Sequence, residues 1–247
     1  MLLGLTLWVS FVHAQSEDFD IKKSTHFIIY YKDVPTTYVN KVAREAERYY
    51  KSITNYLGFM RFEFWTWDNR CRIYIYSDRE EYVKSTGAVA WSRGAVHIQN
   101  KEIVTYTMRK EFFDYVLPHE MGHIIFREVV GLNTRLPLWI DEAVALLQEK
   151  DRDLYLREAE DMVRSGFYIP ISNLSRMNDY SKISPKRFYS EAASIVDFLL
   201  EEYSRSDFVD FCRDIRDGKD WQEALLKTYR FDDLKALEEA WVDYLLQ

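Results

Sequence analysis

Two histidines four residues apart, His119 and His123, lie in the apolar stretch 117–126, LPHEMGHIIF. No other feature constrains the fold as strongly. On a helix of 3.6 residues per turn the two side chains leave the axis about 40° apart, so both imidazoles share one face. One small cation can bind both, and nitrogen ligands on a tetrahedral centre suit Zn²⁺. Glu120 follows the first histidine on the flank of that face, where it can take a proton from a water instead of binding the metal.

A two-histidine centre needs a third protein ligand, and an open fourth position if it is to be catalytic. Eighteen residues separate His123 from Glu142, which sits in a second amphipathic stretch, residues 138–148. Gly131 and Asn133 supply a stop for the first helix, and Pro137 opens the second. Two helices joined by so short a loop can return Glu142 to the histidine face. The competing readings are two surface histidines on an acidic helix, or a purely structural metal. A structural site would leave Glu120 without a role, and such sites usually fill all four positions with Cys and His.

HEMGH followed by LWIDEAVALLQE resembles the gluzincin metallopeptidases. In these, H-E-x-x-H precedes a ligand Glu in a W-x-x-E-(G/A)-x-A context by about eighteen to twenty residues. The chain is most similar to peptidase MA-like domains and more distantly to aminopeptidase N-like enzymes. The resemblance gives His119, His123 and Glu142 the ligand places and Glu120 that of general base. Ala143 departs from the glycine usual after the ligand Glu, and is small enough to leave the site intact. STHFIIYY, YSEAASIVDFLLEEY and EEAWVDYLL also look like their family counterparts, so the resemblance spans nearly all of residues 15–247. It further implies that Tyr189, in a Y-x-x-A-A context, points at the substrate carbonyl. It also implies that the strand before the first histidine helix borders the cleft, with residues 94–97 (GAVH) the best candidate.

The chain has 247 residues, 47% hydrophobic and 30% charged, ample for a core. A net charge of −7 argues against nucleic acid or an anionic membrane surface as the main partner. Residues 1–14 carry no Asp, Glu, Lys or Arg. That run is too short to span a bilayer and reads as a secretory signal peptide cleaved after Ala14, against an uncleaved anchor or a misassigned start; cleavage would leave no membrane span and an exported chain, periplasmic or extracellular. Cys71 and Cys212 are the only cysteines. One disulfide and two buried free thiols are both open to them, and neither has metal-ligand neighbours.

Alternation predicts strands over residues 24–31 and 71–77 and a further strand over 90–99. Helical spacing predicts helices over 36–56, 78–84, 109–127, 151–165 and 187–203, and two more within 218–247. Residues 167–174 read as an irregular crossing and 178–186 as a polar loop. Pro118 cannot donate a hydrogen bond to Asp114, so either the helix begins near Val116 with Pro118 in its first turn or it is kinked there, and a break is the favoured reading. The class is α+β, a small mixed sheet followed by a helical lobe with the metal at their junction, in one domain over 15–247. His26 and His97 read as structural. Asp141 reads as an exposed helix carboxylate, or as an orienter of one histidine.

Together these features imply a zinc-dependent peptidase acting on peptide or protein substrates. The alternatives are a catalytically silent peptide-binding module on the same fold, and a zinc hydrolase of a non-peptide bond. No run like G-x-M-E-N, which would hold a free amino terminus, is present, and no feature specifies an oligomeric state.

Overall fold

The structure, a computed structural model, describes residues 19–60, 65–87, 94–107, 111–179 and 183–247. The predicted signal peptide, residues 1–14, lies outside the described residues, as do the first four positions of the strand expected over 90–99.

Among the described residues, five strands form one mixed sheet: β1 (Asp20–Lys23), β2 (Phe27–Tyr31), β3 (Cys71–Tyr76), β4 (Gly94–His97) and β5 (Glu102–Tyr106), in spatial order β1-β2-β3-β5-β4. β2, β3 and β5 run parallel, and β1 and β4 close the two edges antiparallel. Period-two alternation decides which side chains face which layer. Phe27, Ile29, Cys71, Ile73, Ile75 and Ile103 enter the main core, whereas Tyr76 and Val104 pack with Tyr82 on the opposite face. Helix α1 (Thr36–Tyr56) crosses between the parallel strands β2 and β3 and buries Val39, Val42, Ala46, Tyr50 and Ile53 at helical spacing. Helix α2 (Arg79–Thr86) contributes Tyr82 to the other face. Its ends are set by the Asp78 carboxylate, which accepts from Glu81 N–H, and by Gly87 at φ 66°.

The rest is helical: α3 (Leu117–Val130), α4 (Leu138–Leu146), α5 (Arg152–Arg164), α6 (Ile171–Leu174), α7 (Pro185–Glu201), α8 (Arg205–Arg216), α9 (Trp221–Tyr229) and α10 (Leu234–Leu245). α7 is the axis of this lobe. Every residue from Phe188 to Leu200 is buried, as a helix surrounded by other helices requires, and it packs against α4 and α5 above all. The α+β class expected from the sequence holds.

Several boundaries differ from expectation. β2 starts at Phe27, because Ser24 N–H turns back to the Phe27 carbonyl. β1 and β5 are additional strands, four and five residues long, too short to show much alternation. The stretch expected to be irregular contains the one-turn helix α6. Helix α8 is also additional, although Ser204 and Asp207 form a full capping box ahead of it. Cys71 and Cys212 are buried free thiols, so the disulfide alternative falls. No helix of the described residues is long and apolar enough to cross a membrane.

Candidate metal centre

The chain does not break before His119. A π-helical turn, Phe112–Val116, runs directly into α3 with Pro118 in the first turn. Leu117 N–H reaches back five residues to the Phe112 carbonyl, and Pro118 has no N–H to offer. Two main-chain carbonyls are thereby released, and other elements take them: Tyr49 Oη–H donates to Phe113 O (2.6 Å) and Lys150 N–H to Asp114 O (3.0 Å). Of the two readings of Pro118, the α-helix beginning near Val116 with the proline in its first turn holds, and the favoured break is corrected to a change of helical register, with the lost bonds made good from α1 and from the turn after α4.

α3 carries His119 and His123 on one face, as the spacing demands, and both are buried. Gly131, at φ 101°, ends the helix. The return through residues 131–137 is held by Arg127, whose Nη1 donates to the Thr134 carbonyl (2.7 Å). α4 then lies across α3 with Glu142 buried in its middle. The His119, His123 and Glu142 donor atoms all lie within 4.8 Å of one another, the only such buried trio among the described residues. The two Nε2 atoms are 3.1 Å apart, close to the edge of about 3.3 Å expected between two nitrogens on one tetrahedral zinc.

Carboxylates flank the outer sides of both imidazoles. His119 Nδ1 lies 2.8 Å from Glu149 Oε1, and Glu149 is itself fully buried, accepting from Tyr155 Oη–H at 2.9 Å. With the ring proton on Nδ1, the His119 Nε2 lone pair faces the Nε2 of His123. His123 Nδ1 is 3.6 Å from Asp141 Oδ1, an ion-pair distance longer than a hydrogen bond. Arg127 forks onto both Asp141 oxygens at 3.0 Å each. Asp141 is therefore not an exposed helix carboxylate, since its side chain is 14% exposed.

The electrostatics are those of a cation site. Burial works against charge on His119, but the hydrogen bond and charge of Glu149, together with Glu120 and Glu142, raise its pKa to about 9. Burial likewise opposes charge on His123, and Asp141 outweighs it. Burial also disfavours the charged form of Asp141, yet His123 and the Arg127 guanidinium hold its pKa at about 2. Burial pushes the Glu142 carboxyl up against the pull of the two histidines. Glu142 Oε2 and His123 Nδ1 have no hydrogen-bond partner. A buried carboxylate oxygen with no donor, beside two imidazole nitrogens aimed at the same point, is costly unless a cation sits among them. Two imidazole nitrogens and one carboxylate are a donor set that fits zinc.

The remaining predicted positions fall as follows. Glu120 is half-buried in the first turn of α3 and contributes to the field at both His119 and Glu142. Tyr189 is buried near the start of α7, its ring edge-on to Phe188, on the helix that packs along α4. β4 is an edge strand, as expected for residues 94–97, and a Cβ on Gly94 would meet Val116 Cγ1 at 3.3 Å, just ahead of α3. His26 is structural, bonded to Glu47 at 2.6 Å and stacked on Tyr50. Glu149 and Tyr155 were not among the expected residues. Nothing in the local pattern marks Glu149, which lies beyond the end of α4.

Residues 67–247 match the family model of the peptidase MA superfamily, whose members are typically metal-dependent. No curated protein matches the chain. The match spans well over half of the sequence and contains all three members of the buried trio, and on it the chain belongs to the peptidase MA superfamily.

Proposed function

We propose that this chain is a zinc-dependent peptidase in which His119, His123 and Glu142 hold the metal. One observation carries the reading: two histidine nitrogens and a carboxylate oxygen of the buried Glu142 converge within 4.8 Å, with Glu142 Oε2 lacking a hydrogen-bond partner, on a family background of peptidases. Bound zinc supplies a Lewis acid that polarises the scissile carbonyl and acidifies water. The rest is the work of the chain. Glu120, half-buried beside His119, accepts the proton of the attacking water at its carboxylate and returns it to the departing amine. Tyr189 donates its O–H to the carbonyl oxygen as negative charge builds there. β4, at the sheet edge, offers main-chain groups to an extended peptide.

The test is metal analysis of the purified protein combined with cleavage of a peptide library, with and without chelator. Cleavage should require the metal, at about one zinc per chain. Glu120→Gln preserves size but not basicity, and should keep the zinc and lose nearly all turnover. Equal cleavage by wild type and Glu120→Gln would remove Glu120 from the chemistry. A zinc-loaded wild type that binds peptides and cleaves none would favour a binding module on the same fold.

A further inference from the structure

We propose that the turn of residues 149–151, docked on the main-chain carbonyl that Pro118 leaves free, is the positioning device for His119, with Glu149 and Tyr155 as its working side chains. The proposal rests on the metal reading of the site.

Glu149 lies outside the H-E-x-x-H motif and outside α4, which ends at Leu146. A turn would ordinarily be a poor support for a residue that must hold an imidazole to a fraction of an ångström. This turn is fixed at three points. Lys150 N–H donates to Asp114 O at 3.0 Å, the carbonyl a non-proline residue at 118 would take. Lys150 Nζ reaches the Asp114 carboxylate at 3.1 Å. Tyr115 Oη–H donates to the Asp151 carboxylate. All three partners on the other side belong to the π-helical turn Phe112–Val116, which leads directly into the helix bearing His119. The turn that supplies Glu149 and the helix that supplies His119 are therefore held in one register by contacts made less than two turns from the histidine.

Glu149 is fully buried and uses both oxygens: Oε1 faces His119 Nδ1 at 2.8 Å and Oε2 accepts from Tyr155 Oη–H at 2.9 Å. A carboxylate accepts only, so it selects the His119 tautomer with the proton on Nδ1 and the lone pair on Nε2, the atom 3.1 Å from His123 Nε2. Tyr155, from α5, satisfies the second oxygen and keeps the carboxylate from rotating. Without this pair the proton is free to settle on Nε2, where it blocks the ligand position. A carboxylate that orients a metal-binding histidine typically sets affinity by about 10- to 100-fold.

The experiment uses the full chain with Glu149→Leu combined with Tyr155→Phe, a swap of similar volume that strands no hydroxyl. Imidazole ¹⁵N resonances of the zinc-free protein, at a pH high enough to leave both histidines neutral, report where the His119 proton sits. Competition with a chromophoric chelator reports zinc affinity. Wild type should show His119 protonated on Nδ1. The double variant should shift that proton towards Nε2 and weaken zinc binding about 10- to 100-fold, with its melting temperature not lowered. Tyr155→Phe alone, the milder change, should weaken zinc by a few fold and serves if the double variant does not fold. An unmoved proton with zinc affinity within twofold of wild type overturns the proposal. A wild type that binds no zinc, while the proton still moves on substitution, would sink the metal reading and leave the positioning role supported.

Discussion

Gly122 and Ala145 meet where α3 crosses α4: a Cβ on Gly122 would stand 2.9 Å from the Ala145 Cα, 3.2 Å from Gln148 Cγ and 3.4 Å from the Val144 carbonyl. The glycine lies between the two histidines, and Ala145 is three residues after Glu142. The absence of one side chain sets how closely the two halves of the proposed metal centre approach. Gly122→Ala should force the helices apart, destabilise the protein by about 1–3 kcal/mol and weaken zinc binding with all three ligands intact. Denaturant unfolding and chelator competition measure the two effects. An alanine variant with wild-type affinity would show that the site tolerates the shift.

Metal removal should lower stability by linkage. A ligand present at a hundred times its dissociation constant adds about 2.7 kcal/mol to the folded state. Thermal scans with zinc and with chelator should therefore separate for wild type and coincide for His123→Ala, which leaves two ligands. Zinc retained stoichiometrically by His123→Ala would place the metal elsewhere.

Pro118→Ala tests how the π-helical turn is held. Alanine brings back an N–H able to compete for the Asp114 carbonyl now taken by Lys150. Zinc affinity should fall by several fold while circular dichroism stays that of wild type. Unchanged affinity would mean that the side-chain contacts of Lys150 and Tyr115 suffice to hold the turn.

Glu191 predicts a pH dependence of stability away from the metal. Its carboxyl is fully buried, accepting from Ile169 N–H at 2.8 Å and Arg187 Nε at 3.0 Å. Burial raises its pKa to about 7 against the opposing pull of Arg187 and that N–H. The folded state then binds more protons than the unfolded chain between the unperturbed value of about 4.3 and 7, so this group's contribution falls as pH rises through that window. Glu191→Gln, whose amide oxygen can keep the Ile169 contact, should flatten the profile. Relative to wild type it should gain up to about 3 kcal/mol at pH 8 over its difference at pH 4. Parallel profiles from denaturant titrations would show that Glu191 ionises normally.

Tyr189→Phe tests the proposed oxyanion donor. Loss of one oxyanion donor lowers turnover by about 10²–10³, roughly 2.7–4 kcal/mol. The variant should keep zinc and folding, lose at least tenfold in kcat and change KM little. Conservative changes at Phe188 and Tyr203 should act through stability alone. A kcat within threefold of wild type would return Tyr189 to the core that its burial already shares.

What the sequence determined is what short-range periodicity carries. Turns of 3.6 residues put His119 and His123 on one face, and a stop and restart between residues 131 and 137 brought Glu142 back. Helix α1 was legible to its ends, residues 36–56, because its apolar spacing is long and unbroken. The same sequence hid whatever depended on a partner distant along the chain. β1 and β5 are defined by pairing with β2, β3 and β4, and short strands have too few residues to show their period. Pro118 advertised a lost hydrogen bond, but the tertiary structure alone decided that the helix changes register and that Lys150 and Tyr49 take the freed carbonyls. Glu149 is one of 40 acidic residues, and nothing local distinguishes it. Only the folding of the turn after α4 onto the π-helical turn buries it against His119, since a burial that depends on residues thirty positions apart leaves no trace in local patterning.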